Sequence, residues 1–130
     1  MNTQNPPAHD DARMERGLAF VRKHNPAAAK ALLEQLSDIA PDLVRLVAEF
    51  PFGDMYARGV LGPKLRQAAT LTALACGGHE AQLRIHIGIA HSLGFTRDEL
   101  VELFMQLAPY AGFPVTINAV LAVKEVYPAS

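Results

Sequence analysis

The chain has 130 residues, a formal net charge of −1, 50% hydrophobic and 19% charged residues, five histidines and a single cysteine. A balance this close to neutral gives no electrostatic case for binding nucleic acid or an anionic membrane, and one cysteine excludes an internal disulfide or dithiol couple. The apolar content is enough for the core of one domain, and no apolar run approaches the roughly 20 residues that span a bilayer.

Residues 1 to 10 are rich in Pro, Asn and Asp and read as disordered or loosely attached, with no signal-peptide core, so a cytoplasmic location is expected. Residues 1–25 read as a polar extension carrying a short helix, and residues 26–130 as the helical domain proper. The short helix starts at Asp10 or Asp11, carries Met14, Leu18 and Val21, and stops at His24-Asn25. Asn25-Pro26 then supplies the N-cap and first residue of a second helix, with Ala29, Leu32, Leu33 and Leu36 as its apolar positions. Pro41 breaks it. Asp42 to Phe50 follows, with Leu43, Leu46, Val47 and Phe50 at the i, i+3, i+4, i+7 spacing of an amphipathic helix that Pro51 is expected to end.

Phe50 to Lys64 reads as a hinge, punctuated by Pro51, Gly53, Gly59, Gly62 and Pro63. Pro63 can open the next helix, which runs to about Cys76; its stretch AATLTALAC (68–76) contains no charge. A helix that is apolar or small all round is expected to be buried all round, either centrally or under another subunit.

The most informative stretch is GGHEAQLRIHIGIAHSLG (77–94), one helix bounded by glycines and holding three of the five histidines. His79 and His86 are seven residues apart and share a face with Leu83, Ile87 and Ala90, while Glu80, Arg84 and His91 lie on a polar side. Gly94 fits a C-cap, Thr96 to Glu99 a capping box, and Phe95 with Leu100 a hydrophobic staple. The next helix carries Leu100, Leu103, Phe104, Leu107 and Ala111; Gly112-Phe113-Pro114 breaks it. A last helix with Ala119, Ala122, Val123 and Val126 inward is closed by Pro128. The fold class is all-α.

His86 is the leading candidate for chemistry, since imidazole exchanges protons near neutral pH; the alternative is a core histidine satisfied by a carbonyl or polar neighbour. His79, in the first turn of its helix, has backbone N–H groups beside it that suit a carboxylate; the alternative is a solvated cap. Arg58, in the glycine-rich hinge, is the better placed arginine for clamping a carboxylate, because Arg84 has Glu80 four residues before it. Tyr110, before the Gly112-Phe113-Pro114 break, is either held facing a pocket or packed in the core. The histidine spacing lacks the i, i+4 pairing of a zinc helix, so no metal is expected. Cys76, if buried, is an inert small hydrophobe.

Taken together, FPFGDMYARGVL (50–61), Leu65-Arg66 and the segment 77–114 with His86, Gly94, Thr96, Glu99, Tyr110, Gly112 and Pro114 resemble the carboxymuconolactone decarboxylase family over about residues 41 to 127. The resemblance implies an alkylhydroperoxidase D-like bundle of about six or seven helices. It further implies a homo-oligomeric ring, trimer or hexamer, with sites near subunit contacts. Its named activity is cofactor-free decarboxylation of γ-carboxymuconolactone in aromatic catabolism. His86 would then be the proton donor, and Arg58 and His79, with Tyr110, would bind the substrate. The sister branch resembling alkylhydroperoxidase D carries a Cys-x-x-Cys and an upstream glutamate; those positions fall here on His79, Gln82 and Gln67, so its dithiol peroxidase mechanism is rejected. The rival readings are a small-ligand-binding or assembly protein of changed activity, which predicts no polar partner converging on His86, and an antioxidant using Cys76 alone with an external thiol, which needs Cys76 exposed.

Overall fold

A computed structural model describes residues 11–127. The expectations for residues 1 to 10 and for Pro128 lie outside the described residues. All regular structure among those described is helical. The elements are α1 (Asp11–His24), α2 (Pro26–Leu36), α3 (Pro41–Val47), a π-helical segment (Ala48–Met55), α4 (Pro63–Cys76), α5 (Glu80–Ser92), α6 (Arg97–Met105), α7 (Ala108–Ala111) and α8 (Phe113–Val126). They form two compact units, the first ending at Arg58 and the second beginning at Gly59.

In the first unit, α2 starts as its sequence dictates. The Asn25 side chain accepts a hydrogen bond from the Ala28 N–H at 3.1 Å, with Pro26 at the first helical position. Pro51, expected to end the third helix, does not. The chain widens into π-helical turns that continue through Pro51 to Met55, and the Tyr56 N–H donates to the Pro51 carbonyl at 3.0 Å. Proline removes one backbone donor, and the i→i+5 pattern absorbs that gap inside a helix. The first part of the expected hinge is therefore helical.

The π-segment packs flush on α1, where both backbones lack side chains. A Cβ at Gly17 would lie 1.8 Å from the Ala48 carbonyl oxygen, and one at Gly53 would lie 2.5 Å from the Arg13 carbonyl oxygen. Arg13 spans the same contact, its Nε and Nη2 donating to the two Asp54 carboxylate oxygens at 2.9 and 2.5 Å. Glu49 is buried beside Arg45, whose Nε lies 3.4 Å from its carboxylate. Gly17→Ala is expected to cost at least about 3 kcal/mol, because backbone rather than a movable side chain must yield. Thermal unfolding monitored by helicity checks this against Gly59→Ala, where a Cβ meets nothing within 4 Å. Equal Tm values for the two variants would remove the close-packing account.

In the second unit, α4, α5, α6 and α8 enclose one apolar core. Leu71, Ile87, Leu100, Phe104, Ala119 and Val123 are fully buried in it. Each large side chain of this set contributes roughly 1.5–3 kcal/mol by leaving water. The local signals hold. Glu99 N–H donates to Thr96 Oγ1 at 3.0 Å, and Thr96 N–H donates to Glu99 Oε1 at 2.8 Å. Phe95 and Leu100 are both buried in the core, and Gly94 turns the chain with φ 97. The expected single helix up to Ala111 is instead divided into α6 and α7. Pro109 accounts for the division: its ring collides with the carbonyl four residues back, at Met105, where α6 stops. Tyr127 locks α8 down by donating its hydroxyl to the Phe95 carbonyl at 2.8 Å.

Helix α4 is buried on one face only. Gln67, Leu71 and Ala75 point inward, while Leu65, Ala69, Ala73 and Cys76 are exposed. Thr70 and Thr72 return their hydroxyls to the Arg66 and Ala68 carbonyls, at 3.3 and 2.9 Å, so the uncharged stretch 68–76 leaves neither hydroxyl unsatisfied. Burial on all sides is thus not reached within one chain.

Candidate active site

The turn between α4 and α5 brings together two residues 19 apart. Gly78 adopts φ 72, and the His79 N–H donates back to the Leu74 carbonyl at 3.0 Å, which folds α5 onto α4. Gln67 lies on the inner stripe of α4, four residues before Leu71. His86 lies on the inner stripe of α5 with Leu83, Ile87 and Ala90. Gln67 Nε2 stands 3.1 Å from His86 Nδ1 and donates to the His86 carbonyl at 2.9 Å. Gln67 is completely buried, whereas His86 retains 9% exposure.

Burial pushes the His86 imidazole down from 6.5 to about 4, since the charged ring is poorly solvated there. The ring is therefore neutral at pH 7. A proton donor of the imidazolium kind, the role expected from the sequence, is scarce at that pH; a neutral ring still donates a hydrogen bond through its one N–H.

His79 is the N-cap of α5, exposed and without a side-chain cap bond. It lines a cavity of about 160 Å³ with Cys76, Glu80, Leu83, Val115 and Asn118. Tyr110 is 84% exposed on α7, neither packed in the core nor enclosed in a pocket. Arg58 is exposed at the end of the first unit, its N–H donating to the Met55 carbonyl at 3.2 Å. Arg84 feels the charge of Glu80 four residues before it, and its Nε also donates to Glu125 of α8 at 2.6 Å, a partner its spacing did not suggest. Cys76 is exposed rather than buried. Among the described residues, no group of three or more His, Cys, Asp or Glu side chains is arranged to hold a metal ion.

The residue that sequence reasoning underused is Gln67. The sequence marks it only as the place where a related branch carries glutamate. An amide at i, with Leu71 at i+4 and Ala75 at i+8, all on one apolar face, was the available signal that its side chain needs a buried partner.

The family model for the carboxymuconolactone decarboxylase family matches residues 41–125, which takes in the α4–α5 pair, Arg58, His79 and Tyr110. The chain belongs to the carboxymuconolactone decarboxylase family. It is 33% identical over 95 residues to a 4-carboxymuconolactone decarboxylase of Acinetobacter baylyi, covering 73% of this chain and 71% of that protein. It is also 27% identical over 116 residues to an uncharacterised 15.0 kDa protein in the nqo9-nqo10 intergenic region of Paracoccus denitrificans, covering 88% of this chain and 87% of that one. Helices α1 and α2 precede the carboxymuconolactone decarboxylase match. Among the described residues, no helix is long and apolar enough to cross a membrane.

Proposed function

We propose that the chain is a cofactor-free carboxy-lyase acting on γ-carboxymuconolactone or a related small carboxylated lactone, in aromatic-compound catabolism in the cytoplasm. The observation that carries this reading is the buried His86 engaged by Gln67 in a chain of this family. In the reaction, the bond between the lactone and its departing carboxylate breaks and CO₂ leaves. The electron pair spreads through the unsaturated lactone onto its carbonyl oxygen as a dienolate, and a solvent proton then adds at carbon. The enzyme must stabilise that oxygen as charge develops on it. His86, neutral, supplies a hydrogen bond there from within a low-dielectric wall, where such a bond is strongest. His79 and Tyr110 are assigned to hold the substrate's carboxylate and lactone groups. The test is CO₂ release and enol-lactone appearance when purified protein is given γ-carboxymuconolactone; absence of both, with other carboxylated lactones also inert, would remove the reading.

The rival reading, a binding or assembly protein, predicts no polar partner on His86, and Gln67 is one; the same contact also suits a core histidine satisfied by a polar neighbour, and turnover by His86→Ala separates that case from the enzyme. An antioxidant using Cys76 with an external thiol requires an exposed Cys76, which it is; rapid reaction of the native protein with a thiol reagent is the outcome that would favour that reading.

The working form is assigned as a homo-oligomer, a trimer or hexamer. Its support is the outer face of α4, where Leu61, Leu65, Ala68, Ala69, Thr72 and Ala73 line an open apolar groove of about 530 Å³. Because Ala69 is exposed in the single chain, Ala69→Glu is expected to lower the assembly mass measured by light scattering without loss of helicity. An unchanged mass would contradict an interface there.

A further inference from the structure

Gln67 holds the key to which nitrogen of His86 carries the proton. The atom 2.9 Å from the His86 carbonyl oxygen must be a donor, because a carbonyl oxygen only accepts. That fixes the amide orientation: Nε2, not Oε1, faces His86. The same nitrogen is 3.1 Å from His86 Nδ1. An NH₂ group has two hydrogens, so one goes to the carbonyl and the other to the ring. Nδ1 then has to accept, and a ring nitrogen that accepts carries no proton. The neutral ring holds its single N–H on Nε2.

We propose that Gln67 is a positioning residue that locks His86 into the Nε2–H tautomer and fixes both its ring and its backbone through one amide nitrogen. Gln67 is completely buried, so it acts through His86 and not on substrate. A glutamate at this position would do the opposite. Its carboxylate accepts only, so it would draw the proton to Nδ1 and repel the His86 carbonyl. The amide at residue 67 thus sets what neutral His86 offers: a hydrogen-bond donor on Nε2, with Nδ1 engaged as an acceptor. The consequence for turnover rests on the decarboxylase reading; the tautomer itself does not.

The experiment is ¹⁵N–¹H correlation of the imidazole nitrogens in full-length protein at pH 7, without substrate. His86 is assigned by comparison with His86→Gln. Wild type is expected to show a single neutral Nε2–H form. Gln67→Glu is expected to convert it to Nδ1–H or imidazolium, and Gln67→Met, which keeps the volume but donates nothing, to a mixture of the two neutral tautomers. A wild-type His86 found as Nδ1–H or imidazolium would overturn the proposal, and so would a folded Gln67→Met that keeps a pure Nε2–H signal. If Gln67→Glu fails to fold, the wild-type and Gln67→Met spectra decide. Because no substrate is used, failure of the decarboxylase assignment leaves this result readable by itself.

Discussion

His86→Ala is expected to lose about 10²-fold or more in kcat on the lactone while KM changes little, because the bond it removes strengthens only as charge develops. His86→Gln is the informative companion. Glutamine keeps an N–H donor but cannot exchange a proton, so it should retain part of the activity that alanine loses. If His86 were instead the proton donor named by its residue type, glutamine and alanine would be equally inactive. Helicity and assembly mass, measured alongside, separate loss of chemistry from loss of structure. Equal turnover by wild type and His86→Ala would take His86 out of the reaction.

The second large effect is on stability in acid. The imidazole of His86 falls from 6.5 to about 4 on folding because it is buried. Between those two values the unfolded chain binds the proton and the folded chain does not, so stability rises with pH through this window. The contribution is complete above about pH 6.5 and is lost progressively as pH falls toward 4. The gap corresponds to about 3 kcal/mol, a large share of what holds a domain of this size together. Urea unfolding at pH 7, 5.5 and 4 should show this loss in wild type. His86→Leu, which cannot titrate, should show a shallower decline; parallel declines would mean that other groups dominate acid unfolding.

What was legible in the sequence was local. Asn25-Pro26, the Thr96–Glu99 capping box and Gly94 each act within a few residues, and the structure uses all of them. The proline effects were harder to read. Pro51 was expected to end a helix but is carried through one by π-helical turns, because the close approach of Gly17 and Gly53 holds that backbone against α1. Pro109 divides a helix whose apolar spacing gave no sign of a break. Pairings across helices were not legible at all. Arg84 could be matched by spacing only to Glu80, yet it bonds Glu125, 41 residues on. The same applies to Gln67 and His86. The shared apolar face of α5 picked out His86, but its partner lies on another helix and emerges only when the Gly77-Gly78 turn lays one on the other.

In the proposed decarboxylation site the working group is a neutral, buried His86. The most direct test is the pH dependence of kcat/KM for CO₂ release from γ-carboxymuconolactone between pH 4 and 8. The predicted profile is level at neutral pH and falls as pH approaches 4, where His86 gains a proton and its neutral form is depleted. A rate that climbs as pH falls toward 4 would contradict the claim, since it would make the imidazolium the active form.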